Sequence, residues 1–118
     1  MLSAAPVPRL HCLVAEVRGE VVGYATCALE MSTWAGREYL HMDCLFLRDG
    51  YRGAGLGAQL VDAVLAVARH FGVAAAEWQT PPWNAGAVRF YERLGGRARP
   101  KVRFTLTTSD ATPPVRDE

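Results

Sequence analysis

The sequence has no long hydrophobic run and almost no excess of either charge, and each absence excludes a class of protein. Its apolar segments stop well short of the roughly 20 residues that a membrane-spanning helix needs. The 13 basic and 12 acidic residues nearly balance and form no basic stripe, which argues against nucleic acid as a partner. The N-terminus lacks the charged-then-apolar order of a signal peptide. We therefore expect a cytoplasmic protein with neither a membrane nor a nucleic-acid partner.

Cysteine is also scarce, and the three that occur suggest no special chemistry. Cys12, Cys27 and Cys44 have neither metal-site spacing nor the even number of a disulfide framework. All three fall in predicted strands, where a free cysteine usually acts as a small buried hydrophobe. None is placed like an activated nucleophile. We therefore expect no metal and no covalent enzyme intermediate.

Length and composition fit one globular domain. Half of the 118 residues are hydrophobic, which is enough for a single packed core. We predict one domain over 1–118, with an extended lead at 1–9, a core at 10–107 and a flexible polar tail at 108–118.

The periodicity of apolar residues predicts strands and helices in a clear order. Strands are predicted over 10–17, 21–30, 38–47, 73–79 and 102–107. Arg18-Gly19 forms a tight turn that makes the first two strands antiparallel, and the strand at 73–79 is buried and parallel to its neighbour. Helices are predicted over 58–72 and 85–94, with Asn84 as the N-cap of the second. The result is a mixed sheet with helices, an α/β or α+β fold.

The most informative segment is RGAGLGA at 52–58, between a strand and a helix. Such a turn leaves backbone N–H groups unpaired at the positive end of the helix dipole, where a phosphate or pyrophosphate binds. Gly53, Gly55 and Gly57 permit unusual dihedral angles and a close approach of the ligand. The spacing fits neither the P-loop nor the dinucleotide fingerprint. Arg52-x-x-Gly55-x-Gly57 is what remains.

That motif resembles the acyl-CoA signature of the GNAT superfamily of N-acetyltransferases. WNAGAVRFYERLGG (83–96) is similar to a second, later segment of the same family. Within it, HCLVAEV (11–17), the Trp34-x-Gly36 loop and YRGAGLG (51–57) resemble the diamine (spermidine/spermine) acetyltransferases. The resemblance covers 11–96 and implies a mostly antiparallel mixed sheet with helices on both faces. The family's first strand and N-terminal helices, which wall the acceptor side, are missing from this pattern. Three explanations stay open: a fragment, a mis-started reading frame, or a minimal protein whose partner in a homodimer supplies that wall. We expect a homodimer.

The resemblance also implies how acetyl-CoA is bound. Backbone groups of Leu45, Phe46 and Leu47 would pair with the pantetheine arm as if it were an added strand. The pyrophosphate would be held by N–H groups of the turn that follows Arg52: Gly53, Ala54, Gly55, Leu56, Gly57 and Ala58. Asn84 and Ala87 would line the far side of the co-substrate. Plainer alternatives stay open, with Leu45 and Leu47 as core residues and Asn84 as a cap only.

The expected chemistry is direct transfer of the acetyl group to a neutral primary amine. Tyr91 would protonate the departing thiolate, and the N–H of Leu45 would stabilise the oxyanion. Asp43 would act as base through one water. Burying an unpaired carboxylate in an apolar strand is costly, which favours a functional role for this residue. His41, two residues away on the same strand face, is the alternative base. The bland alternatives are an exposed or salt-bridged Asp43 and a Tyr91 that packs on the sheet.

The substrate is less well defined by the sequence. Glu77 and Trp78 are candidates for contacting a cationic amine, although a surface glutamate and a packing tryptophan are the plain alternatives. Cys44 stands where the diamine acetyltransferases carry a second acid. One carboxylate fewer weakens the case for a polycationic substrate, so a polyamine is only one option beside an amino acid or related amine. Two other functions stay open: a catalytically degenerate CoA-binding module, and an acetyltransferase for protein lysines or N-termini.

Overall fold

The computed structural model describes residues 10–109, so the predicted lead at 1–9 and most of the tail lie outside the described residues. The chain divides into two compact units, Met1–Trp78 and Gln79–Glu118. The first contains a sheet and the helix packed on it, and the second contains a shorter helix.

Within the described part of the first unit, four strands form one sheet in the order β1-β2-β3-β4. They are β1 His11–Val17, β2 Glu20–Ser32, β3 Arg37–Leu47 and β4 Ala76–Glu77. β1 pairs with β2, and β2 with β3, in antiparallel orientation, whereas β4 is parallel to β3. The predicted mixed, mostly antiparallel sheet is confirmed.

The turn between β1 and β2 is the predicted one. Arg18 and Gly19 both have positive φ, 54° and 81°, as a type I′ hairpin turn requires. The longer loop between β2 and β3 carries Trp34, which is 99% exposed.

An irregularity in the ladder between β2 and β3 has consequences for the site. Thr26 pairs with Cys44, whereas its neighbour Cys27 pairs with Met42. Asp43 is therefore an extra residue of β3, the mark of a β-bulge. A bulge bends its strand and increases the local twist. The predicted parallel strand at 73–79 is reduced to Ala76–Glu77, because pairing with β3 ends directly before this bulge.

Helix α1, Leu56–His70, packs on one face of the sheet. It begins two residues before its predicted start, because Gly55 takes a left-handed conformation and serves as the N-cap. The core is built from small and branched side chains of β2, β3 and α1: Val22, Ala25, Cys27, Leu40, Met42, Leu60, Val61, Val64 and Ala68. Val67 and Phe71 of this region line a cleft of about 490 Å³ beside His11 and His70.

The second unit contains α2, Ala85–Arg93, one residue shorter than predicted. Gly95 ends it with φ 96°. The predicted strand at 102–107 is wrong, because this segment pairs with no strand in the described residues. Val102, Phe104 and Leu106 are 78%, 88% and 95% exposed, so their alternation buries no face.

Among residues 10–109, no helix combines the length and the apolarity needed to cross a membrane.

Candidate functional site

The second half of β3 has a strand neighbour on one side only. Its ladder with β4 is limited to Leu40 opposite Ala76 and His41 opposite Glu77. The N–H of Leu40 also donates to the carbonyl of Ala75 at 3.0 Å. From Met42 to Leu47 the edge away from β2 has no strand partner within the described part of this unit. That edge offers backbone donors and acceptors to an extended ligand.

The register decides which residues face this open edge. The N–H of Arg48 donates to the carbonyl of Val22 on β2, at 2.8 Å. In an antiparallel ladder, successive residues direct their N–H and C=O groups to opposite sides. Leu45 and Leu47 therefore direct these groups to the open edge. Phe46 directs its own to β2, so the register does not support the main-chain role expected for it; its side chain is 42% exposed.

The glycine-rich turn has the geometry of an anion site. Gly53 and Gly55 have φ of 82° and 81°, and a β-carbon at either would meet no atom within 4 Å. Their outer surface is open to a ligand. Gly57 does not need an unusual φ, contrary to the sequence expectation, because it is a buried residue of α1.

The start of α1 leaves its first N–H groups without an intrahelical acceptor. The helical ladder begins with the N–H of Gln59, which donates to the carbonyl of Gly55 at 3.1 Å. The N–H groups of Leu56, Gly57 and Ala58 precede that bond. No side chain caps the helix and its first turn holds no acidic residue. The partial positive charge of this terminus is therefore not neutralised by an acid in its own first turn.

Arg52 lies at the entrance to the turn. Its guanidinium is 3.8 Å from the carboxylate of Asp49, and both side chains are largely exposed. Such a surface ion pair contributes little to stability. Arg52 is therefore free to reorient toward an anion.

A polar cluster lies near the start of β3, where β4 is still paired. His41 Nδ1 is 3.2 Å from Glu30 Oε1. The hydroxyl of Tyr39 donates to Glu30 Oε2 at 2.9 Å. This hydrogen bond, with burial and the charges of Glu30 and Glu77, raises the pKa of Tyr39 above its ordinary value. We call Glu30, Tyr39 and His41 the β2–β3 polar cluster.

Sequence reasoning missed Glu30 and Tyr39. They are directly opposite each other in the ladder, but β2 was predicted to end at residue 30 and its register with β3 was unknown. The sequence did offer one signal for this cluster: Glu30 and Tyr39 lie close to the adjoining ends of the predicted strands 21–30 and 38–47.

Asp43 occupies a different environment from the one expected. It is exposed and lies in the bulge, so the cost of burying a carboxylate does not apply to it. Glu77 is exposed as well, and Trp78 is half-buried. These three residues lie in the first unit with the open edge and the glycine turn.

The remaining predicted site residues belong to the second unit. Asn84 caps α2, since its Oδ1 accepts the N–H of Ala87 at 3.2 Å. Asn84, Ala87 and Tyr91 follow the spacing of one helix face. The ring of Tyr91 is half-buried and lies 5.2 Å from that of Phe90.

The cysteines divide by environment. Cys27 is fully buried, and burial, with a smaller effect of Cys12, raises the pKa of its thiol. Cys44 is half-buried, with its Sγ 3.9 Å from the hydroxyl of Tyr24. The expectation of burial is wrong for Cys12, which is exposed because it alternates outward on the edge strand β1. Within 10–109, no three metal-binding side chains come together.

An open strand edge that leads into a helix start with unpaired N–H groups has the geometry that suits an extended, phosphate-bearing ligand. Residues 3–96 match the model of the acetyltransferase (GNAT) family, and the chain belongs to that family. The resemblance stated from the motifs, to this superfamily and its diamine acetyltransferase-like group, is confirmed.

Similar proteins of known name support this assignment. The thialysine N-epsilon-acetyltransferase of Sus scrofa is 35% identical over 98 residues, covering 76% of this chain and 57% of that protein. The L-ornithine N5-acetyltransferase NATA1 of Arabidopsis thaliana is 30% identical over 91 residues, covering 77% of this chain and 40% of that protein. The chain thus spans about half the length of the curated relatives it matches.

The fold has clear neighbours among solved structures. The aminoglycoside N-acetyltransferase AAC(6')-Iy, solved in complex with CoA, has a TM-score of 0.79 at 20% identity. The match covers 87% of this chain and 79% of that one. At this identity the likeness concerns the fold alone.

Proposed function

We propose that this chain is an acetyl-CoA-dependent N-acetyltransferase that acts on a primary amine of a small molecule. The observation that carries the proposal is the continuity of β3 with α1. Leu45 and Leu47 present main-chain groups at an open edge, and the same chain continues into the glycine turn at Gly53 and Gly55. A pantetheine arm has peptide-like amides that suit such an edge, and the turn suits its pyrophosphate.

The acyl transfer requires three groups in this proposal. The N–H of Leu45 stabilises the oxyanion that forms when a neutral amine attacks the thioester carbonyl. Tyr91 gives a proton to the departing thiolate. A base removes the proton of the amine through one water. Asp43, nine residues before Arg52 where the diamine acetyltransferases carry a glutamate, is one candidate, and His41 is the alternative.

The remaining contacts follow from the motif positions. The N–H groups of the turn and the helix start hold the pyrophosphate, namely those of Gly53, Ala54, Gly55, Leu56, Gly57 and Ala58, and Arg52 adds a positive charge. Asn84 and Ala87 line the co-substrate. Glu77 and Trp78 contact the amine, for which polyamines, amino acids and related amines are the candidate classes. We further propose that the protein is a cytoplasmic homodimer.

Calorimetry with acetyl-CoA, and a thiol-release assay over a panel of amines, test the proposal. We expect saturable binding of acetyl-CoA and turnover with at least one amine such as ornithine, thialysine or spermidine. Absence of binding by folded protein at millimolar acetyl-CoA would refute it. Because the chain spans only 57% of a matched relative, a CoA-binding module without catalysis is the second candidate. Binding without turnover on any amine favours that module.

Replacing Tyr91 by Phe tests the proton donor. We expect Tyr91→Phe to lower kcat about tenfold or more, because general acid catalysis contributes on the order of 10²–10⁴-fold. The Kd for acetyl-CoA, measured by calorimetry, should change little, and Phe90→Leu serves as the control for altered packing on α2. Wild-type kcat in Tyr91→Phe would remove Tyr91 from this role.

A further inference from the structure

In the β2–β3 polar cluster, the imidazole of His41 lies against the carboxylate of Glu30. Nδ1 of His41 lies 3.2 Å from Oε1 of Glu30. Because a carboxylate only accepts hydrogen bonds, this contact favours the tautomer with the hydrogen on Nδ1. In the neutral ring Nε2 then carries the lone pair, and it is the nitrogen that accepts a proton. The side chain of His41 is 24% exposed, so water reaches the ring while its orientation is held.

Tyr39 fixes the carboxylate in turn. Its hydroxyl donates to Oε2 of Glu30 at 2.9 Å, and the two residues are directly opposite in the ladder. Both oxygens of Glu30 are thus engaged, one by the imidazole and one by the phenol. The arrangement gives the imidazole one preferred tautomer and one ring orientation.

The cluster lies where the open edge of β3 begins. His41 is the last β3 residue paired with β4. On β2, His41 is opposite Ala28 and Leu45 is opposite Ala25. Ala25 and Ala28 are three positions apart, so His41 and Leu45 are separated by about 10 Å measured along β2. An imidazole and a bridging water cover much of that span. Asp43 lies between the two in the bulge but is exposed to solvent.

We propose that His41 is the proton acceptor of the acetyl transfer and that Glu30 is its positioning residue, with Tyr39 holding Glu30. The inference rests on the proposed function and decides between the two bases left open there. The amine gives a proton through a water to Nε2 of His41, and its nitrogen forms the bond to the acetyl carbon. The C–S bond breaks, and coenzyme A leaves as its thiolate. The imidazolium afterwards returns its proton to solvent.

His41 is faced by Glu30 from β2 and by its register partner on β4, Glu77. Tyr39 and Asp43 lie near it on β3.

The test compares His41→Gln, Glu30→Gln and Asp43→Asn with the wild type in kcat, KM and the pH profile of kcat/KM for the amine. We expect His41→Gln to lower kcat about tenfold or more and to remove the acid limb of the profile. Added imidazole should restore part of the activity of His41→Ala. Glu30→Gln should lower kcat severalfold, because an amide oxygen orients the ring less strongly than a carboxylate does. Asp43→Asn should keep the limb.

Two outcomes would overturn the assignment. One is a wild-type kcat and profile in His41→Gln. The other is loss of the acid limb in Asp43→Asn alone, which would return the base to Asp43. In both cases the proposed function stands, since the wild type still turns over. A wild type that fails to bind acetyl-CoA refutes the proposed function instead. The ¹⁵N shifts of His41 test the pairing separately from catalysis. The preference for the Nδ1–H tautomer should be lost in Glu30→Ala, which removes the acceptor, and kept in Asp43→Asn.

Discussion

Gly53 and Gly55 hold the turn before α1 open by adopting dihedral angles that residues with a β-carbon avoid. The pattern RGAGLG predicts this turn from the sequence because glycine spacing is a local property. The β2–β3 polar cluster could not be predicted in the same way. Its three residues come from two strands, and only the register brings Glu30 against Tyr39 and His41.

Gly55→Ala separates ligand binding from backbone strain. An alanine at φ 81° costs about 1–2 kcal/mol of stability, and its methyl would occupy the open space where the pyrophosphate is proposed. We expect the Kd for acetyl-CoA, measured by calorimetry, to rise at least about tenfold.

Gly72→Ala is the matched control, with φ 72° and equally open space at the other end of α1. It should lose similar stability and keep its affinity for acetyl-CoA. Equal loss of affinity in the two variants would indicate that strain alone is responsible.

Asn84 has two possible roles, and two substitutions distinguish them. Asn84→Ala removes the cap on α2 and should lower the free energy of unfolding by about 1 kcal/mol. Asn84→Asp keeps a capping oxygen but adds a negative charge, so it should retain stability and weaken acetyl-CoA binding. Chemical denaturation and calorimetry measure the two effects. Unchanged affinity in Asn84→Asp would leave Asn84 as a cap only.

Among the elements, the hairpin and both helices were predicted to within about two residues at most ends, because turn residues and caps are encoded locally. The errors concern strands that need a distant partner. Residues 73–79 have the composition of a strand, yet only Ala76 and Glu77 meet β3 before its bulge. Residues 102–107 alternate like a strand but have no partner in the described part of the chain. Strand formation depends on pairing as well as on pattern.

Gly23 on β2 is required by the close approach of β3. A β-carbon there would lie 2.6 Å from the carbonyl oxygen of Phe46 and 2.5 Å from Leu47 Cδ2. We expect Gly23→Ala to lower the free energy of unfolding by about 1–3 kcal/mol, as overpacking does. Because β3 must shift at Leu47, acetyl-CoA affinity should fall as well.

Gly86→Ala makes the same chemical change in α2, where the nearest atom is 4.0 Å away. It should be neutral or stabilise the protein by about 0.5–1 kcal/mol. Urea denaturation of both variants gives the comparison, and a Gly23→Ala variant as stable as the wild type would contradict the close contact.

At the scale of the whole molecule, stability should fall at alkaline pH. Burial raises the pKa of Cys27 above its ordinary value of 9.0, and the pKa of Tyr39 is raised above 10.0, chiefly by its hydrogen bond to Glu30. The unfolded chain loses these protons more readily than the folded one. The contribution of these two groups to the free energy of unfolding is therefore fully present below about pH 9 and is lost as the pH rises above it.

Thermal unfolding between pH 7 and pH 11 measures this effect. The Cys27→Ala variant is the control, because it should begin to lose stability only where the tyrosines ionise. If its unfolding midpoint follows pH as that of the wild type does, Cys27 makes no contribution.

The exposure of Trp34 affects how this protein is studied by fluorescence. Of three tryptophans, Trp34 and Trp83 are 99% and 75% exposed, and only Trp78 is half-buried. Two solvated indoles will dominate the emission spectrum and mask any quenching at Trp78. A Trp34→Phe, Trp83→Phe double variant would leave Trp78, next to Glu77, as the one tryptophan, and its emission would test whether an amine binds there as proposed.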